Sequence, residues 1–435
     1  MTAKTNVSRG TALLISIYFP PEPGGASTAA WNRATILHKI GFYVFILCGF
    51  PSYPTGKVYD KKYRGKLFSV EKYGEFTLIR LRLLPLKTSG YLNRLILFVN
   101  FVLLCLFFAF RILRTTGRIN LIYSIAPIIF SSFIGFVYSK LNGSYFIHEV
   151  SDLWPEELVV FSTRLFFIIF HLGKIVARLS YNFPDMLVAI SHLAAEQLTT
   201  SYKPRATIYV LPIGVDLDKF HVSSKEESRR KLNNENLLPT DMDGKFIVLY
   251  TGLISKATRV ENLVLAARDL QNENTEISFL IVGDGEEKQK LEELKSVYDI
   301  KNLIMLPFQP RDMIPIIISA CDVCVVSLPS VPIYDVDVPT KFYEYLAGCK
   351  PQIGICGGDL AKIITSNDIG LTVKDGQISK LVESILCLKN SPSLINSMKK
   401  NSRSLLGVYS LDSLASNFSC VLENAMEKSR ARIKN

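Results

Sequence analysis

Glu344 stands in "VPTKFYEYLAGCKPQIG", one turn into a segment that otherwise reads as a buried helix. An ionised carboxylate is costly to bury without a partner, so its presence there asks for a reason. Pro339 and Thr340 open the helix at Lys341, and Phe342, Tyr345 and Leu346 supply its apolar face. First-turn amides can hold phosphate oxygens. A carboxylate one turn further can accept hydrogen bonds from two vicinal hydroxyls of a ribose. The plainer account is a glutamate stabilised by the positive end of the helix dipole.

Three other stretches carry residues of the same use. In "YTGLISKATRVENLVLAA" a strand ends at Tyr250, Thr251 and Gly252, and a loop bearing Lys256 and Arg259 runs into a helix. Two cations there suit a diphosphate, against the plainer account of a solvated loop. "VGDGEE" places Gly283 and Gly285 at a strand-to-helix turn, able to line a base pocket by backbone contact and equally ordinary as a turn. "PEPGGAS" puts Gly24 and Gly25 between strand and helix, where amides approach an anion or sugar closely; it lacks the dinucleotide-binding GxGxxG spacing.

The elements that must position these residues alternate. "ALLISIYF" and "FYVFILCG" read as buried parallel strands around the helix "WNRATILHKI". The half closes with "DMLVAISHLAAEQL" and "IYVLPIGVDLDKF". A polar run, "HVSSKEESRRKLNNENLLPTDMDGK", then reads as the linker, with the boundary near Phe220. The second half repeats the alternation more cleanly. The expectation is an α/β protein of two Rossmann-like domains facing a cleft, 1–220 and 221–435, with ligands at strand C-terminal ends.

Composition narrows the setting. The chain has 435 residues, 48% hydrophobic, with a net charge of +11, a pI of about 9.1 and a mean hydropathy of +0.22. An excess of Lys and Arg beside apolar segments fits an anionic membrane surface. Nucleic acid is excluded as a partner by the lack of zinc-finger spacing, basic heptads or an aromatic RNA-binding motif. Segment 91–113 holds the run Leu95 to Phe110, which has Asn100 as its single polar residue and is bracketed by Arg94 and Arg111. At 16 residues it falls short of the roughly 20 that a span needs, so it reads as a re-entrant or interfacial helix ahead of a full span, with a buried core helix as the plainer account. "IIFSSFIGFVYSK" and "RLFFIIFHLGKIVARLSY" add apolar helices to the same half. Of eight cysteines, Cys321 and Cys324 form a lone CxxC in a buried strand, without the second pair a zinc site needs. Scattered cysteines suit a reducing compartment, and the N-terminus does not read as a signal peptide.

"VPTKFYEYLAGCKPQIG", "VAISHLAAEQL", "VLPIGVDLDKF", "YTGLISKATRVENLVLAA" and "IVGDGEE", in this order, resemble the retaining glycosyltransferases of family 4, which have the two-Rossmann GT-B fold. "ISIYFPPEPGGAS" and "EVSDLWPEEL" resemble its subgroup building bacterial surface polysaccharides. The resemblance implies ribose contact for Glu344 and diphosphate contact for Lys256, with Arg259 second. It places Gly24 and Gly25 near donor phosphate and acceptor. The family's other glutamate falls on Val336, with Asp335 and Asp337 flanking it as substitutes. In "FIHEVSDLWPE", His148, Glu149 and Asp152 fall where the family turns polar groups to the acceptor, and Asp152 leads because it precedes a Pro-started helix. For His148 a packed strand histidine is the plainer account.

The reading is a hexosyl or N-acetylhexosaminyl transferase at the cytoplasmic face of the cell membrane. Its catalytic candidates are Asp152, Lys256 and His148. Its donor-binding candidates are Gly24, Gly25, Gly252, Lys256, Arg259, Gly283, Asp335, Thr340, Lys341 and Glu344. The donor is a nucleotide-diphosphate sugar and the acceptor a polyprenyl-diphosphate-linked or other glycan. The resemblance implies retention, no cofactor and no metal. A nucleotide-sugar 2-epimerase of similar architecture and an inactive membrane-bound scaffold are the rival readings.

Overall fold

In the computed structural model the near-continuous apolar runs are strands buried on both faces, as parallel sheets require. The structure describes residues 9–434 apart from 54, 88–90, 126–128, 152–154, 156–163, 221–222, 240–241, 243 and 272–275. The chain divides into two units, residues 1–213 with 411–435, and residues 214–410.

The first unit runs β1 (Gly10–Ile15), α1 (Gly25–Lys39), β2 (Phe42–Gly49), β3 (Phe68–Tyr73), β4 (Phe76–Leu81), α2 (Tyr91–Phe107), α3 (Ala109–Thr116), β5 (Leu121–Ile125), α4 (Ile129–Asn142), β6 (Tyr145–Val150), α5 (Arg164–Ser180), β7 (Met186–Ala189), α6 (His192–Tyr202) and β8 (Thr207–Val210). The second runs α7 (Lys225–Asn234), β9 (Phe246–Thr251), α8 (Glu261–Leu270), β10 (Ile277–Val282), α9 (Lys288–Val297), β11 (Leu303–Leu306), α10 (Ile314–Ala320), β12 (Val323–Ser327), α11 (Thr340–Ala347), β13 (Gln352–Ile355), α12 (Gly358–Ser366), β14 (Gly370–Val373), α13 (Ile378–Asn390) and α14 (Pro392–Tyr409). The last helix, α15 (Leu411–Lys434), belongs to the first unit.

The first sheet has the order β3-β4-β2-β1-β5-β6-β7-β8, parallel except for β3, which pairs antiparallel at the edge. β1 is the switch point, with Ala12 opposite Val44 of β2 on one side and Leu121 of β5 on the other. Side chains alternate across the strand: Ala12 and Leu14 enter one core, Leu13 and Ile15 the other. The second sheet is parallel throughout, in the order β11-β10-β9-β12-β13-β14, with β9 as its switch point. Both are Rossmann-like sheets. In such sheets ligands bind beyond the strand C-termini at the switch point.

Two expectations are corrected here. The boundary lies at Ile213–Gly214 rather than Phe220, and residues 411–435 return to the first unit. The reason is burial: Leu411, Leu414, Phe418 and Leu422 of α15 enter the same core as Ala12 and Leu14. Four such side chains are worth roughly 6–12 kcal/mol of apolar transfer. Lys39 reinforces the docking through Asp412 at 2.7 Å, and Arg9 through Glu423. The polar run read as a linker contains a packed helix. Ser224 caps α7 by accepting from the Glu227 amide, and Arg229 is buried against the carbonyls of Ala320, Met242 and Lys245.

The apolar segment 91–113 is two helices. α2 stops at Phe107, and α3 leaves it at an angle of 64°. Phe108, at the bend, packs on Phe68 of β3, and the Arg111 guanidinium lies 4.4 Å over the same ring, so tertiary contact turns the chain along the sheet. Leu97, Phe101, Cys105 and Ile112 face the core, whereas Leu103, Phe107 and Phe110 are exposed. Among the described residues no single helix is long and apolar enough to cross a membrane; the bent pair passes only by joint length and composition.

Candidate functional site

β9 ends at the switch point of the second sheet, and the residues singled out there converge on it. Tyr250 and Thr251 are buried, and the Tyr250 hydroxyl donates to the Leu253 carbonyl at 2.6 Å. α11 is pinned to the strand end by Tyr345, whose hydroxyl accepts from the Thr251 amide at 2.8 Å. That bond aims the first turn of α11 at the strand terminus. Lys341, in that turn, lies with its Nζ 3.8 Å from the Tyr250 ring centroid and donates to the Tyr250 hydroxyl at 2.6 Å.

Gly283 is required by contact and Gly252 by its backbone conformation. A Cβ on Gly252, whose φ is +124°, would sit 3.2 Å from Lys341 Nζ. A Cβ on Gly283 would fall 1.9 Å from the Gly252 carbonyl oxygen. The backbones of the β9 and β10 ends therefore pass each other without room for side chains.

The charges are those of a site waiting for an anion and a polar partner. Desolvation pulls the Lys341 ammonium down to about 7, with Glu344 opposing the shift. Burial raises the Glu344 carboxyl, opposed by Arg311 and then Lys341. Among the described residues no hydrogen-bond partner of the Glu344 carboxylate is seen. Pro339 precedes α11 without a side-chain cap, so the amides at Thr340 and Lys341 are open to an oxyanion.

Lys256 is exposed on the loop after β9. Arg259 is engaged elsewhere: its Nε donates to Asp375 at 2.9 Å and it pairs with Glu261 at 3.0 Å. Its backbone is left-handed, with φ +44°. Two carboxylates thus neutralise the cation expected at the diphosphate. Val336 is buried. Asp335 packs instead at the start of α12, where a Cβ on Gly357 would come 2.5 Å from its Oδ1. Arg311 and Tyr250 are the members that sequence reasoning missed. The signal for Arg311 was a lone cation after a strand, in "LPFQPRDM".

In the first unit, Gly24 precedes α1 with φ +109°, and Gly25 is its first residue; both are exposed. His148 is fully buried in β6, with Nδ1 2.8 Å from Ser124 Oγ, and burial lowers it to about 3. It is neutral and enclosed, as a packed strand histidine is. Glu149 beside it is also buried, accepting from Arg33 and from Tyr123, each at 2.5 Å. Arg33 continues to the carbonyls of Leu211 and Pro212, so these groups brace the core. Asp152 lies outside the described residues. Among the described residues no three His, Cys, Asp or Glu side chains gather as a metal site would need.

The two-sheet architecture is that typical of GT-B proteins. The chain superimposes on the sucrose-phosphate synthase of Thermosynechococcus elongatus with a TM-score of 0.73 at 18% identity, covering 97% of this chain and 100% of that one. It superimposes on Anabaena HepE in complex with UDP-glucose with a TM-score of 0.67 at 14% identity, over 95% and 99%. Residues 234–405, within the unit that holds the site, match the family model of glycosyl transferases group 1. Among curated proteins the chain is similar to WcaI of Escherichia coli, named for colanic acid biosynthesis, with 32% identity over 116 residues. It is also similar to the α-galactosylglucosyldiacylglycerol synthase of Streptococcus pneumoniae, with 24% identity over 242 residues. These matches cover 27% and 54% of this chain, and 27% and 59% of the relatives.

Proposed function

We propose that the chain is a retaining glycosyltransferase that moves a hexosyl or N-acetylhexosaminyl group from a nucleotide-diphosphate sugar to a lipid-linked glycan of a surface polysaccharide. The observation that carries this reading is the convergence of Lys341, Glu344 and the open α11 N-terminus on the close-packed glycines at the end of β9. Glu344 accepts the ribose hydroxyls. Lys341 and the α11 amides hold the diphosphate, and Lys256 reaches it from the loop. As the glycosidic bond breaks, charge collects on the departing diphosphate, and prearranged donors stabilise it without reorganising. Arg259 serves the loop's shape. Retention, and an acceptor role for Asp152, rest on the family resemblance. HepE bound to UDP-glucose supports the donor class, and the two curated relatives support a polysaccharide or lipid-linked product.

The setting we propose is the cytoplasmic face of the cell membrane, with an anionic lipid surface against α2, α3, α4 and α5. Leu103, Phe107, Phe110, Leu141, Leu172 and Ile175 expose apolar surface there. α4 packs against both α2 and α5, so these side chains stand on neighbouring helices. No Asp or Glu occurs between Glu75 and Glu149, a stretch with eight Lys and Arg, and none occurs within α5. A face that pairs exposed apolar side chains with one sign of charge is complementary to anionic headgroups over acyl chains.

The test is a panel of nucleotide sugars screened for thermal stabilisation, followed by transfer to a short polyprenyl-diphosphate sugar in anionic vesicles. Stabilisation by one nucleotide sugar and transfer with retained anomeric configuration is expected. Interconversion of free nucleotide sugars without an acceptor would show an epimerase instead, and no stabilisation by any of them would end the donor-site reading.

A further inference from the structure

Beyond its helix face, the first unit carries a second surface on which charges of one sign collect. The loop after β2, residues 50–67, and the loop after β4, residues 82–87, leave the sheet at the C-terminal ends of those parallel strands. The two loops pack on each other. The Arg82 amide donates to the Leu67 carbonyl at 3.0 Å, and a Cβ on Gly56, whose φ is +76°, would fall 2.2 Å from the Leu86 carbonyl oxygen. The Tyr63 ring stacks on Phe50 at 4.5 Å, and the Leu84 amide donates to Asn100 Oδ1 of α2 at 3.0 Å. The end of β2 and the side of α2 thus hold both loops in place.

On this frame Lys57, Lys61, Arg64, Lys66, Arg82 and Lys87 are exposed, and among the described residues their side chains have no partner. The local acids are already taken. Asp60 accepts from the Lys62 amide at 2.9 Å and pairs with its ammonium at 3.4 Å. Glu71 pairs with Lys62 at 3.0 Å and with Arg80 at 2.9 Å, and accepts from the Tyr63 hydroxyl. Glu75 stands in the turn at the other end of the β3–β4 hairpin. A surface that meets only water ordinarily intersperses both signs. Apolar side chains stand among these cations: Tyr59, Leu67 and Leu84 are 51%, 60% and 45% exposed. Next to Leu67, Phe68 meets Phe108 and Arg111, so the loops adjoin the α2–α3 bend that exposes Phe107 and Phe110.

Two loops of cations match a plane of charge better than a single ion. A lone phosphate asks for donors that converge on one point, with the backbone amides of a turn or helix start among them. Here the donors are long side chains spread over two loops. A bilayer offers many anionic headgroups at once and takes up leucine and tyrosine between them. The geometry points to a headgroup-binding arm in these loops, which docks the first unit on an anionic bilayer by the corner between its helix face and the C-terminal edge of its sheet. This rests on the membrane setting proposed above and adds an orientation to it. The strand ends, where sheets of this type bind their ligands, then stand at the headgroups rather than out in solvent.

The informative variant combines Lys61→Gln, Arg64→Gln and Lys66→Gln, three exposed side chains that brace nothing among the described residues. Each cation near an anionic surface is worth about fivefold in partitioning, so losing all three should weaken binding about a hundredfold. Binding to vesicles of phosphatidylcholine, with and without phosphatidylglycerol, is measured by flotation over a salt series. Acetylation of individual lysines is read by mass spectrometry in parallel. Wild type is expected to bind the anionic vesicles, with Lys61 and Lys66 protected there. The Gln variant should bind them about a hundredfold more weakly. Its salt dependence should be shallower, with melting temperature and nucleotide affinity unchanged. A second variant, Lys61→Arg with Lys66→Arg, keeps the charge and should bind as wild type does. Equal binding of the Gln variant and wild type to anionic vesicles overturns the proposal. Equal acetylation of Lys61 and Lys66 with and without vesicles also overturns it, as does a Gln variant that loses melting temperature. A Gln variant weakened towards polyglutamate but not towards vesicles would mark a surface for an acidic protein instead. Should wild type ignore anionic vesicles altogether, the membrane setting and the arm fall together. Should binding need Leu103, Phe107 and Phe110 but not the three cations, the setting stands and the arm falls.

Discussion

Lys341 offers a measurement of protons rather than of rate. Its ammonium is held down to about 7 by desolvation in the free protein. A bound diphosphate would remove that penalty and return it to roughly the ordinary lysine value of about 10.4. At pH 8 the free side chain is then about one-tenth protonated and the complex almost fully so, and binding takes up about 0.9 proton. The sign is fixed by the direction of the shift. Protons enter on binding, nucleotide affinity falls about tenfold per pH unit above 7, and below about pH 6 the linkage disappears. Calorimetry of UDP binding at pH 8, in two buffers of different ionisation enthalpy, reads the uptake as the difference in apparent heat. Lys341→Met should abolish the uptake and cost about 1.5–3 kcal/mol of nucleotide affinity, the range for a charge-assisted hydrogen bond. Wild-type uptake near zero, with affinity flat between pH 7 and 9, would refute the argument: Lys341 would then be charged before binding or stay clear of the phosphates.

Glu344→Ala should weaken nucleotide binding by about 1.5–3 kcal/mol, and 2′-deoxy nucleotides should lose the same amount against wild type; unchanged calorimetric affinity removes the ribose role. Lys256→Ala should reduce turnover strongly with no change in melting temperature, because Lys256 is exposed. Arg259→Ala should do the reverse, since Arg259 braces Asp375 and Glu261; equal, negligible effects on turnover would mean that the diphosphate is held elsewhere. Leu103, Phe107 and Phe110, 59%, 79% and 80% exposed, can be changed to Ser together without opening the core. At about 1.5–3 kcal/mol of partitioning per side chain, the triple variant should leave anionic vesicles in a flotation assay while keeping nucleotide affinity. Retention on the vesicles would shift the anchor to α5.

What could be read from the chain followed burial. The strands at Ala12 and Ile247 stood out because both faces of each sheet are covered, which forces uninterrupted apolar runs. Gly252, Gly283 and Glu344 were legible because a glycine or carboxylate is costly where it has no purpose. α7 was missed because two of its buried residues, Ser228 and Arg229, are polar, and hydropathy does not register an arginine satisfied by carbonyls. The bend at Phe108 has no proline or glycine to announce it and comes from Phe68, forty residues earlier. The pairing of Arg259 was not legible because its partner Asp375 is 116 residues away, a distance at which charge pairing leaves no local trace. Amphipathic α15 declared that it would pack, but not on which sheet.

That last helix bears on how the protein is made. The second unit is one unbroken stretch of chain, whereas the first lacks a wall of its core until Leu411, Leu414 and Phe418 have left the ribosome. The unit begun first is therefore finished last. During synthesis the face of the first sheet that carries Ala12, Leu14 and Val188 stays uncovered by α15 while the whole second unit forms, a period in which a holding chaperone would find its binding site. A stop codon anywhere near residue 410 would strand the molecule in that state: a complete second unit tethered to an open, sticky sheet that proteolysis would remove.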